Sequence, residues 1–135
     1  MNISIVVIIA SAVWFFLAAV LFFNPVVDKI YKSQEGDSGV RVLPKSLKTI
    51  SMILLAVFIQ CILWSVVFKT VSPALPEGAL YKGFGFGLIL ISTKMIPRDI
   101  DRLLLSTYPR KRMLIEFIIG AVCCICVGVV FAALL

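Results

Sequence analysis

Residues 113–135 read MLIEFIIGAVCCICVGVVFAALL, a stretch whose only formal charge is Glu116. An α-helix rises about 1.5 Å per residue, so about 20 apolar residues cross the ~30 Å hydrocarbon core of a bilayer. This stretch is long enough, and it lacks the apolar–polar alternation of a membrane strand. It is therefore predicted to be a transmembrane helix. Three more apolar runs precede it: Ile3–Phe23, roughly Leu47–Phe68 and roughly Leu80–Ile96. Lipid offers no partner for an unpaired peptide group, so these too are predicted as helices. The third is the shortest. Its unbroken part is Gly83–Thr93, and it crosses only if Lys82 and Lys94 snorkel outward from its two ends. The expected fold is all-α: a polytopic membrane protein of one domain, 1–135, with spans at about 3–23, 47–68, 80–96 and 113–135. The composition agrees, with 61% hydrophobic residues and a mean hydropathy of +1.11.

The basic residues give an orientation. Lys29, Lys32, Arg41, Lys45 and Lys48 lie between runs one and two. Lys94, Arg98, Arg102, Arg110, Lys111 and Arg112 lie at or after the end of run three, and only Lys69 and Lys82 flank the remaining connection. Lysine and arginine are retained on the cytoplasmic side, so both basic loops are expected inside and both termini outside. The net charge of +6 is then a topology signal, with the anionic headgroups of the bilayer as its counter-charge. A nucleic-acid partner is not expected, because that needs a basic face in water. Run one lacks a positive leader region and a small-residue cleavage site, and is expected to stay as a helix.

Between the runs, Asp28–Lys45 is polar and glycine-containing and is expected to be a flexible cytoplasmic loop. Pro73 and Pro76 end run two. Pro97, Asp99 and Asp101, followed by Leu103, Leu104, Leu105 and Tyr108, predict a short interfacial helix before the last run. In run four, Gly120, Cys124, Gly128 and Ala132 recur every four residues. Run three repeats the spacing with Gly83 and Gly87. Such small-residue faces let membrane helices approach closely, within one chain or between chains.

Chemistry is sparse. The chain has no histidine, which removes the usual proton shuttle and the imidazole metal sites. Cys123, Cys124 and Cys126 point in different directions on a helix, so they are read, with Cys61, as small packing residues. No cofactor and no metal are expected. With no nucleophile–base pair in view, an enzyme is not expected either. The candidate polar residues are Gln60, Lys94 and Glu116, because ionisable or hydrogen-bonding groups are costly inside a membrane. Lys94 and Glu116 are expected to share a depth and to pair across runs three and four. Trp14 and Trp64 lie within their spans as core packing or as an aromatic wall.

Leu21-Phe22-Phe23-Asn24-Pro25 resembles the aromatic-aromatic-polar-Pro segment of an uncharacterised family of small four-helix bacterial membrane proteins. The glycines of run three, then Pro97, Pro109 and a glycine-containing last helix, are similar in layout. The chain departs from that family at Val26-Val27-Asp28-Lys29-Ile30, where a Phe-Gly and Trp signature is the rule. The resemblance implies four helices, a bacterial plasma membrane and no defined activity. Small multidrug transporters share the size but rely on a glutamate in the first helix, and run one has none. Two functions fit these residues. One is an interaction protein, an accessory subunit or structural oligomer bound to itself or to another membrane protein. The other is a small-solute or ion transporter or channel working as a homo-oligomer.

Overall fold

The computed structural model describes residues 1–37, 39–40 and 46–135. The chain is all-α, 84% helical, and no strand occurs among the described residues. Among those residues six α-helices run in order: α1 (Ile3–Phe22), α2 (Pro25–Ser33), α3 (Leu47–Val71), α4 (Ala79–Leu90), α5 (Ile96–Leu105) and α6 (Arg110–Leu134). Four of the described helical segments are long and apolar enough to cross a membrane: Ile3–Phe22, Leu47–Ala74, Ala79–Leu105 and Arg110–Leu134. The protein is an integral membrane protein.

Local chemistry sets the boundaries. Asn2 caps α1, its side-chain oxygen accepting from Ser4 N at 3.0 Å. Asn24 does the same for α2 at Val26 N, 2.9 Å away, and Pro25 supplies a first-turn residue with no N–H to satisfy. The Phe23-Asn24-Pro25 segment thus stops one helix and starts the next. Ser46 caps α3 through Thr49 N. Pro73 sits in a 3₁₀ turn, Ser72–Ala74, that closes α3.

Two expectations need correction. The predicted flexible loop 28–45 is helical up to Ser33, because Asn24-Pro25 nucleates α2 and Asp28 pairs with Lys32 one turn on, at 2.9 Å. Ser38 and the part of that loop at 41–45 lie outside the described residues. The helix of the third run does not stop at Ile96 either. A π-helical turn, Ile91–Met95, joins α4 directly to α5, with Ile96 N–H donating to Ile91 O five residues back. Pro97 has no N–H to give to the preceding turn, and the widened turn absorbs the loss without breaking the helix. The predicted short helix before the last run is α5, and it follows the third run without a break. Its Ile100, Leu103, Leu104 and Leu105 are all exposed.

The core lies where α1, α3, α4 and α6 meet. Phe68, Phe86 and Phe131 bring α3, α4 and α6 together, with ring centroids 5.0 to 6.1 Å apart. Val6, Val7 and Ala10 of α1 belong to the same buried cluster. Large apolar side chains such as Phe16, Leu63, Leu80 and Leu114 point outward, as lipid permits.

Between α4 and α6 the helices touch at backbone distance. A Cβ on Gly83 would stand 2.7 Å from Val129 N, and one on Gly87 2.8 Å from the Ile125 Cα. Gly128 faces the Gly83 carbonyl across the same seam, and Gly120 receives the Met95 side chain. Cys124 is buried, and Ala132 packs against the core. The small-residue stripe of run four is thus used inside the chain, against the glycines of run three.

Candidate functional site

Two polar clusters stand out, and the residues singled out from sequence divide between them. The first surrounds Lys94. A rise of about 1.5 Å per residue puts Lys94 about 22 Å beyond Ala79, near the middle of its span. Its side chain does not snorkel outward. It is half-buried, and its ammonium donates to Gln60 Oε1 of α3. The same ammonium stands 4.7 Å from the Trp14 ring centroid and 4.8 Å from that of Trp64. The two indoles meet edge to face at 5.3 Å. A cation over two indole faces gains electrostatic attraction that water would otherwise supply. The π turn aims Lys94 this way, since a residue inserted into a helical turn rotates the side chains beyond it about the helix axis. Among the described residues, no carboxylate lies within ion-pair distance of Lys94.

The second cluster is at the end of the bundle where α2, α5 and α6 meet. Glu116 is its centre. Arg102 Nη1 donates to Oε2 at 2.5 Å, and Tyr31 OH donates to Oε1 at 3.1 Å. Tyr108 OH donates to the same Oε1. Arg112 is buried, donates to the Tyr31 carbonyl at 3.1 Å and lies 4.0 Å from the Tyr31 ring centroid. Burial pushes the Tyr31 phenol well above its ordinary range, and the Glu116 carboxylate adds to the shift. Tyr108 is raised by burial first, then by its hydrogen bond to Glu116. Both hydroxyls are therefore held as donors, and one carboxylate fastens three elements.

These contacts replace the expected Lys94–Glu116 pair. The two residues share a span boundary in sequence, but Lys94 turns toward α1 and α3, whereas Glu116 turns toward α2 and α5. Gln60 does join helices, and its partner is Lys94. Trp14 and Trp64 form an aromatic wall for that cation. Sequence reasoning missed Tyr31 altogether and read Tyr108 and Arg102 only as interfacial anchors. A signal for α2 was present in Asn24-Pro25, a cap followed by a first-turn proline. Nothing in the sequence announced the π turn except Pro97, four residues after Thr93.

The cysteines do not gather. Cys61, Cys123 and Cys124 are buried, and Cys126 is half-buried on the α1 side of α6, beside Val13 and Leu17. Cys124 Sγ lies 3.9 Å from Met95 Sδ. Open grooves along α1 are lined by apolar side chains such as Ile8, Leu54 and Phe58, as a lipid-facing surface requires. No family model matches the chain, and no curated protein or solved structure is similar to it, so the functional argument rests on these side chains.

Proposed function

We propose that this chain is a small-solute or ion transporter that works as a homo-oligomer, with Lys94, Gln60, Trp14 and Trp64 as its site. The observation that carries the reading is a lysine cation near mid-span, held by a neutral amide and two indole faces with no carboxylate beside it. A charge at that depth is costly, and a merely structural bundle would do as well with a leucine there. The π turn strengthens the case, because such insertions gather at working sites in helices. The alternative of an accessory or structural subunit drew support from the small-residue stripe, the shortage of intramembrane charge and the small size. The stripe packs α6 on α4 within one chain, which removes the first of these. In this reading the basic loops face the cytoplasm and the termini face outward.

The test is reconstitution into liposomes, with transient-current measurements on jumps of sodium, potassium, ammonium, chloride and lactate. At least one jump should move charge in the wild type, and Lys94→Met should lower that current at least tenfold. The mass of the intact complex in mild detergent should be a multiple of one chain. A second protein in fixed stoichiometry, with no current for any solute, would return the chain to the accessory class.

A further inference from the structure

The Lys94 cluster is unbalanced in a particular way. Among the described residues, four buried side-chain nitrogen or oxygen atoms have no partner: Gln34 Oε1, Gln60 Nε2, Arg98 Nη2 and Arg112 Nε. Three of these four are donors, and Gln60 is the residue whose other amide atom already receives Lys94. Arg98, one turn beyond Lys94, has its counter-charge in Asp99, which accepts from Nε at 3.0 Å. Glu116 accepts from Arg102 and the two tyrosines. Lys94 is left with Gln60 and the two indoles and, among the described residues, with no carboxylate at ion-pair distance.

Lys94 carries three N–H groups and Gln60 Nε2 two; Gln60 Oε1 accepts from Lys94, while Gln60 Nε2 has no acceptor. Donors buried without acceptors cost free energy, and cations buried without counter-charge cost more. A cation or a donor-rich solute would make both deficits worse. A neutral acceptor would relieve only the first. An anion relieves both, supplying lone pairs and negative charge together.

We infer that the solute bound at Lys94 and Gln60 is a small anion, either an inorganic ion or a short carboxylate. The inference rests on the transport reading above and names its substrate class. Lys94 supplies the charge and Gln60 positions it. Gln60 Nε2 offers its free N–H groups, and the two indoles screen the cation from lipid while the site is empty. The basic loops at the Arg98 end of the bundle would raise the local concentration of the same ions.

The test reads the site through its own tryptophans, since Trp14 and Trp64 flank the ammonium. Purified protein in mild detergent is titrated with sodium chloride, sodium lactate or sodium phosphate, each replacing sodium gluconate at constant sodium. Choline and ammonium gluconate serve as cation controls. A saturable change in emission is expected for at least one anion, with none for the cations. Its apparent affinity should weaken at least tenfold in Lys94→Gln and several-fold in Gln60→Leu. If Lys94→Gln does not fold, Gln60→Leu alone carries the comparison. A linear or absent response to all three anions overturns the anion assignment. If ammonium or sodium still moves charge in liposomes, the transport reading survives that failure. If nothing moves at all, both fall together.

Discussion

The third run, α4 with the π turn that follows it, meets two different neighbours, and the contrast explains most of the molecule. On one face Gly83 and Gly87 bring α6 to backbone distance, with Gly128 opposite. On the other, towards α1 and α3, large side chains keep the helices apart: Phe86 against Phe68, then Lys94 against Gln60, Trp14 and Trp64. The first contact is dry, small and made of backbone. The second is bulky and carries a charge. Membrane helices gain little from excluding lipid, so the glycine seam, where dispersion contacts are densest, is where stability is expected to come from. The lysine side contributes little to stability and is where function is expected.

The largest effect should come from a change in the seam. Gly128→Leu has no room against the Gly83 carbonyl, and the expected outcome is loss of folded, monodisperse protein on size-exclusion chromatography. The milder Gly128→Ala should cost about 1–3 kcal/mol as overpacking, read as a lower melting temperature in detergent. If Gly128→Leu folds normally, the seam is not where α4 and α6 are held.

Next come the groups around Glu116. Glu116→Ala removes the acceptor for Arg102, Tyr31 and Tyr108, and hydrogen bonds to a charged group are each worth about 1.5–3 kcal/mol. Melting should fall, by less than for Gly128→Leu. The tyrosines add a pH dependence. Their folded-state pKa values lie above the ordinary 10.0, so the unfolded chain releases its phenolic protons first as pH rises. This stabilisation is complete below pH 10 and is lost progressively above it. Melting temperatures taken from about pH 8 to about 11.5 should decline above 10, and the double variant Tyr31→Phe, Tyr108→Phe should flatten that decline. An unchanged slope in the double variant would remove both phenols from the cluster.

Trp14→Phe tests the other side more gently. It keeps an aromatic face but weakens the cation–π attraction and the edge contact with Trp64, together worth on the order of 1 kcal/mol. A few-fold weaker anion response with near-normal melting is expected. The smallest effect belongs to Lys32→Ala. Its partner Asp28 is also exposed, and such surface pairs contribute almost nothing, so melting should not change measurably.

The same contrast governs how much of the molecule is legible in the chain. The four spans come from hydropathy, and the Gly83, Gly87 and Gly128 spacing from helical geometry, because both are periodic and local. The direction of Lys94 is neither. It depends on a π turn that compensates for Pro97, and one extra residue in a turn rotates the side chain away from Glu116 and onto α1 and α3. The Glu116 cluster was hidden for a different reason. Tyr31 lies 85 positions away in sequence, and it reaches the carboxylate only because Asn24-Pro25 folds α2 back against α6.

The most direct measurement pairs flux with melting for Lys94→Met. The expected result is a current at least tenfold below wild type, with a melting temperature unchanged or raised. Replacing a buried charge by an apolar side chain of similar length relieves desolvation, which offsets the lost Gln60 hydrogen bond and the two indole contacts. A variant that transports like the wild type, or one that loses stability as Gly128→Leu does, would contradict the division of the third run into a structural face and a working one.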